Sequence, residues 1–284
     1  MGLGGYLTWT AVAREIFNRH GIKSMPFEMH NGCIKLVKSP IFYNNPHISQ
    51  DFSKDILFPL QLNNPESNYC KKDMPDKAIY RSDKHIISQI CEYYNIDNPE
   101  LKCELFLTDQ EISFANKILV DYNIDSSKLI VVEPCSKTDY TVNKKYPIEK
   151  WQYVIDNIPD DYSIIQIGVP GAEILDSVIN LVGDTTFREA TSLISRAELF
   201  MSIEGGPVHA ATSQNTKAIV VIGDEPPKKL VEYPQNININ FGRGHGPCGM
   251  KINCTHCEED RNAHNPDEIL KEALNFLENN SIVQ

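Results

Sequence analysis

The chain has 284 residues, 41% of them hydrophobic and 23% charged, which is ordinary globular composition for one large domain or two smaller ones. A formal net charge of −11 argues against broad binding to nucleic acid or to an anionic membrane, but not against a local basic pocket for a phosphate. There is no run of about 18 apolar residues and no secretory pattern, and eight cysteines are too few for a disulfide scaffold, so a cytoplasmic protein with reduced thiols is expected.

In chain order, "GLGG" (2–5) leads into a helix, "GYLTWTAVAREIFNRHG", closed by Gly21. A glycine loop of this kind follows a strand, so a strand is expected upstream of Met1 or from a partner. Strands are predicted at "SMPFEMH" (24–30) and "DILFPLQL" (55–62). A helix follows over "SDKHIISQICEYYNI", with Ser82 or Asp83 as cap. "CELFLTD" reads as a strand and "QEISFANKILVDYNI" as a helix. The linker between halves falls around "DYNIDSSK" (121–128).

The second half alternates. Strands are predicted at "KLIVVEP", "YSIIQIGV", "ELFMSI" and "KAIVVIG", and helices at "PIEKWQYVIDNI", "FREATSLISRA" and "GPVHAATSQ". That alternation implies crossover units and a parallel sheet, whose ligands bind outside the carboxyl ends of the strands. A last helix begins after Asn265 and Pro266.

Three strand-end loops carry candidate chemistry. "EGGPVH" (204–209) stops a strand on two glycines and restarts as a helix. A helix start offers free N–H groups and the positive end of the dipole to an anion. His209 lies in the first turn and can donate to a phosphate oxygen, whereas Glu204 can accept from a sugar hydroxyl. The other reading is a tight turn with a satisfied histidine. "SKTDYTVNKKYP" (136–147) places lysines at the end of a buried strand, where one can neutralise a pyrophosphate. "GVPGAE" (168–173) is the third, with Glu173. In "HGPCGMKINCTHC" (245–257), Cys248, Cys254 and Cys257 with His245 or His256 can supply four tetrahedral metal ligands. Only one C-x-x-C is present, so reduced cysteines in a folded loop are the alternative. Serine-hydrolase, zincin and P-loop motifs are lacking.

Together these loops resemble the family 9 glycosyltransferases, the bacterial heptosyltransferases, from about Ile130 to His209 and weakly over the first twenty residues. "NKKYPIEKW" matches the family's donor-side lysine loop, with Lys144 in the lysine's place. "EGGPVH" matches its "D-[ST]-G-x-x-H" turn, with Glu204 for the usual aspartate and Gly205 for the hydroxyl residue. The cysteine segment resembles one near the family's C-terminus. The resemblance implies a GT-B-like α/β fold of two Rossmann-like domains with parallel sheets facing a cleft. Residues 1–124 would hold the acceptor and 125–264 the nucleotide-diphospho-sugar, and helix 265–284 would pack back toward the N-terminal domain. It implies inverting transfer of a sugar, such as a heptose, to a cell-surface glycan. Donor contacts would come from Lys137, Asn143, Lys144, Glu173, Glu204, Gly205, Gly206 and His209, and an acceptor-side loop from Gly2, Gly4 and Gly5. No metal is expected in catalysis, with a structural zinc or iron at Cys248, Cys254 and Cys257 left open. The expected partners are a nucleotide-sugar donor and a glycan acceptor, no nucleic acid, and at most peripheral membrane contact. The family's N-terminal "G-x-G-D" supplies an aspartate as base, but Gly5 stands at that position, so no base carries over. Glu28 and His30, after strand 24–29, are candidates from their position alone. A non-catalytic nucleotide-sugar-binding protein and an epimerase of the same fold remain as alternatives.

Overall fold

A computed structural model describes residues 2–51, 56–135 and 140–281. The N-terminal half comprises α1 (Leu3–His20), β1 (Ser24–His30), β2 (Cys33–Leu36), β3 (Phe58–Gln61), β4 (Cys70–Asp73), β5 (Ala78–Tyr80), α2 (Ile86–Tyr93) and α3 (Asp109–Asp121). Strands order β2-β1-β3, with β1 and β3 parallel and β1–β2 an antiparallel hairpin turned at Asn31-Gly32, both at positive φ. A second hairpin pairs β4 with β5.

The C-terminal half comprises β6 (Leu129–Glu133), α4 (Ile148–Asp156), β7 (Ser163–Gly168), β8 (Ile179–Val182), α5 (Phe187–Ile194), β9 (Leu199–Ile203), α6 (Gly206–Gln214), β10 (Ala218–Ile222), α7 (Lys228–Val231), β11 (Ile237–Asn240), α8 (Thr255–Ala263) and α9 (Asp267–Ser281). Six parallel strands form one sheet in the order β11-β10-β9-β6-β7-β8. β6, β9 and β10 are wholly buried, as strands covered on both faces must be. The chain steps from β6 outward to β8, then returns to lay β9 on the other side of β6. That reversal opens a crevice at the carboxyl ends of β6 and β9, where doubly wound sheets bind ligands.

One apolar core runs without a break from Leu7, Val12 and Ile16 of α1 to Val208, Ala210 and Ala211 of α6 and on into the sheet. A second core, under Trp151 of α4, takes Ile269, Ala273 and Leu277 of α9. The last helix thus packs on the six-stranded sheet and α4, in place of the expected return to the N-terminal half.

Two local expectations are corrected. The helix expected from Ser82 or Asp83 begins at Ile86, and His85 is its cap: Nδ1 accepts from the Ile87 N–H. Asp83 is held instead by Arg81. Residues 103–107, part of a predicted strand, join no sheet. Neighbouring helices take the segment's backbone groups: Thr10 accepts from Glu104 N–H, Gln214 donates to Leu105 C=O and Arg188 to Phe106 C=O. Side chains thus satisfy what a ladder would otherwise supply. The strand predicted over 55–62 is β3, and residues 52–55 beside it lie outside the described ones.

Candidate functional site

The crevice at the β6–β9 reversal is built from three strand ends. β9 stops at Ile203, and Glu204 N–H still pairs with Val221 C=O. Gly205 then turns the chain and α6 starts at Gly206. No side chain caps α6; Pro207 has no N–H and Val208 N–H bonds Gly205 C=O, so the Gly206 N–H is the first-turn donor left for a ligand. α1 also starts without a side-chain cap, at Gly2–Leu3.

These two helix starts meet. A Cβ built on Gly4 would lie 2.6 Å from Gly206 Cα and 3.3 Å from His209 Cδ2. Glycine is required by that approach at position 4 alone: Gly205 has φ 172°, which any residue adopts, Gly206 is helical, and a Cβ at either meets nothing closer than 3.4 Å. Gly2, Gly4 and Gly5 therefore do not form a loop. Gly2 caps α1, and Gly4 and Gly5 lie in its first turn.

Lys144 reaches the crevice from the segment after β6. Its Nζ lies 2.6 Å from Glu204 Oε2 and 3.7 Å from Glu225 Oε2. Burial alone would pull its pKa down, but the two carboxylates outweigh that and hold it above the usual lysine value. Glu225 follows β10 and is wholly buried. Burial pushes its pKa up to about 7, with Lys144 offsetting only part. Tyr80 of β5 donates to Glu225 Oε1 at 3.1 Å and stacks on Tyr69. The N-terminal hairpin thus closes over the crevice from the other side.

His209 is buried, and Nδ1 hydrogen-bonds the Tyr233 hydroxyl at 2.6 Å. Burial pulls its pKa down to about 4, with Glu204 opposing and Lys144 adding. It is a neutral hydrogen-bonding group at pH 7. If the Tyr233 hydroxyl donates to Nδ1, the proton sits on Nε2, on the ring edge that faces Gly4.

The other expected donor residues divide. Glu173 is exposed at the end of β7, on the same sheet edge. Lys137 lies outside the described residues. Asn143 is corrected: it is fully buried, its amide donates to Met250 C=O and Ile252 C=O, and its Oδ1 accepts from Cys254 N–H. It clamps the cysteine segment, with its amide N–H groups engaged there. Residues missed from sequence are Glu225, Tyr80 and Tyr233. Glu225 was within reach of the strand-end rule, since "GDEPP" follows a buried strand. Tyr80 and Tyr233 carry no local signal.

The cysteine segment wraps around the base of this site. Asp224 Oδ2 accepts from Gly244 and Gly246 N–H, Asp224 C=O from Cys248 N–H, and Glu225 C=O from Gly249 N–H. The Sγ atoms of Cys248, Cys254 and Cys257 lie within 4.8 Å of one another. Cys248 and Cys257 stand 3.3 Å apart, and that hydrogen bond pulls the Cys248 pKa down to about 6 while raising that of Cys257. His245 and His256 do not join this group. They stack on each other, and His245 faces Asp260.

Residues 81–258 match the model of glycosyltransferase family 9 (heptosyltransferase). Over 161 residues the chain is 28% identical to lipopolysaccharide core heptosyltransferase OpsX of Haemophilus influenzae, covering 52% of this chain and 44% of that protein. The chain therefore spans less than half the length of that curated relative. Among solved structures, a family 9 glycosyl transferase of Veillonella parvula superposes with a TM-score of 0.70 at 14% identity, over 98% of this chain and 94% of that one. Heptosyltransferase II of E. coli superposes with a TM-score of 0.60 at 11% identity, over 98% and 97%. The iron-containing dodecameric glycosyltransferase TibC of enterotoxigenic E. coli superposes at 0.65 and 12%, over 98% and 74%. At those identities the likeness establishes the GT-B-like α/β fold. With the family model spanning more than half of its length, the chain belongs to glycosyltransferase family 9.

Proposed function

We propose that this protein is an inverting glycosyltransferase that moves a heptose from ADP-heptose to a lipopolysaccharide-core type of acceptor. The observation that carries the reading is the pairing of Lys144 with an uncapped helix start at the sheet's reversal point. Transfer would place negative charge on the leaving diphosphate, and a fixed cation with the Gly206 N–H at the positive end of the α6 dipole stabilises it. Lys144 and Glu204 cancel, and a proton on Glu225 keeps the crevice from being net negative before the donor arrives. The relatives support the choice of sugar: OpsX is a lipopolysaccharide core heptosyltransferase, and TibC was solved in complex with ADP-D-β-D-heptose.

In this reading residues 125–264 hold the donor, with Glu173 toward the nucleoside, and residues 1–124 hold the acceptor. No helix among the described residues is long and apolar enough to cross a membrane. A cytoplasmic enzyme with at most peripheral membrane contact fits this. Thermal shift against a panel of nucleotide sugars tests the reading, since a bound donor stabilises the fold by mass action. ADP-heptose should raise the melting temperature and UDP-hexoses should not. An unchanged melting point with ADP-heptose at millimolar concentration refutes it.

The cysteine triad supports a second reading, a structural soft-metal site. Three thiols gathered this closely, one of them ready to ionise, suit zinc or iron, and the relative TibC is iron-containing. Such a site would pin the segment that holds Asp224, Glu225 and Asn143. Metal analysis of the purified chain and of Cys254→Ser tests it: about one ion per chain is expected, lost in the variant.

A further inference from the structure

A hydroxyl nucleophile must lose its proton as it attacks the anomeric carbon, and position 5, where the family resemblance expects an aspartate, is glycine. The structure places another proton acceptor beside that position. β1 follows α1 and runs antiparallel to it: Tyr6 near the start of α1 meets Glu28 near the end of β1, while His20 at the end of α1 stacks on Phe58, the pairing partner of Ser24. The end of β1 and the start of α1 therefore share one edge, the edge where Gly4 touches Gly206.

Glu28 and His30 alternate onto the same face of β1, the face that α1 covers. His30 Nε2 lies 2.9 Å from Glu28 Oε2. The Glu28 side chain is largely covered, 17% exposed, and is held between Tyr6 and His30. His30 is 56% exposed, and Nδ1 has no partner among the described residues. The carboxylate fixes the ring and its tautomer, with the proton on Nε2 and the lone pair on Nδ1 facing outward. The phenol of Tyr6 is pushed up in pKa, by burial first and by Glu28 next, so it stays a neutral donor to that carboxylate.

We propose that His30 is the general base of the transfer and that Glu28, steadied by Tyr6, is its positioning residue. This rests on the donor reading above. The acceptor oxygen forms its bond to the anomeric carbon and the bond from that carbon to the diphosphate oxygen breaks. The diphosphate leaves with the electron pair, and the hydroxyl proton passes to His30 Nδ1. Glu28 stabilises the imidazolium, which then returns the proton to water. The other titratable groups facing this pair are Tyr6 from α1 and, across the β1–β2 ladder, Lys35 opposite Glu28 and Cys33 opposite His30.

The test uses the full chain with ADP as the binding probe, and ADP-heptose with a heptose-free lipopolysaccharide as substrates. His30→Gln should lower kcat by roughly a hundredfold or more while ADP affinity stays within about twofold. The acid limb of the pH–rate profile should vanish with it. His30→Gly should recover part of the rate in added imidazole, which a merely structural role would not allow. Glu28→Gln should lower kcat less and displace the acid limb. If His30→Gln transfers within about threefold of wild type, the base is elsewhere and the donor reading stands. If the wild-type chain binds ADP yet releases none from ADP-heptose, the base is overturned and only nucleotide binding survives. If it does neither, the donor reading falls and takes the base with it.

Discussion

Replacing Glu225 by glutamine removes a carboxyl that the folded chain holds at a pKa of about 7, against a usual 4.5. Between those two values the folded state keeps the proton and the unfolded state loses it. Stability therefore falls as pH rises through that window and levels off above about pH 7. The gap corresponds to roughly 3 kcal/mol of destabilisation at pH 8, of which about 1 kcal/mol is already present at pH 5. Glutamine keeps an oxygen to accept from Tyr80 and never ionises, while Lys144 retains Glu204 at 2.6 Å. Glu225→Gln should thus be more stable than wild type by roughly 3 kcal/mol at pH 8, a melting-temperature gain of roughly 5–10 °C, and by only about 1 kcal/mol at pH 5. Denaturant melts of both proteins at the two pH values measure this. An equal gain at both, or a variant less stable at pH 8, would refute the reasoning. The second result would mean that an ionised Glu225 is net favourable through its pair with Lys144.

Lys144→Ala and His209→Ala should each weaken ADP binding in calorimetry by about tenfold or more, as expected for loss of a hydrogen bond to a charged group. Unchanged affinity in both would remove the diphosphate from this crevice. Gly206→Ala should fold normally, because its Cβ would meet Phe187 at 3.4 Å and Gly4 at 3.5 Å, yet lose ADP affinity. Gly4→Ala, whose Cβ would lie 2.6 Å from Gly206 Cα, should instead lower the melting temperature by forcing α1 from α6. His85 and His209 are buried with pKa values pulled down to about 3 and 4, by burial above all. The stability they protect is whole above pH 6.5 and is lost as pH falls, toward about 4 for His209 and about 3 for His85. Urea melts of His85→Asn, which keeps an acceptor for the α2 cap, should show a shallower acid loss than wild type.

Much of the C-terminal sheet was legible from periodicity. A strand buried on both faces favours a short, nearly continuous apolar run, and "LIVVE", "LFMSI" and "AIVVI" have that pattern. The strand-end rule then pointed to Lys144 and to the Glu204–His209 turn, because topology alone puts those loops on one edge. The short strands β8 and β11 escaped, since "INLV" and "ININ" lie at the sheet margins and carry half-polar patterns. Residues 103–107 misled because alternating burial is the same whether backbone groups meet a ladder or the side chains of Thr10, Gln214 and Arg188. Asn143 misled for the same reason: a polar residue in a lysine loop reads alike whether it faces a ligand or clamps a distant backbone. What only the folded chain decided is contact between remote segments. Gly4 against Gly206, Tyr80 against Glu225, and Glu28 with Tyr6 beside the start of α1 each join residues from different elements. Local sequence dictates which elements form because backbone hydrogen bonding and side-chain period act over a few residues. The protonation of Glu225 and His209, and the requirement for glycine at position 4, arise from burial and from helix-on-helix approach, which exist only once the layers have packed.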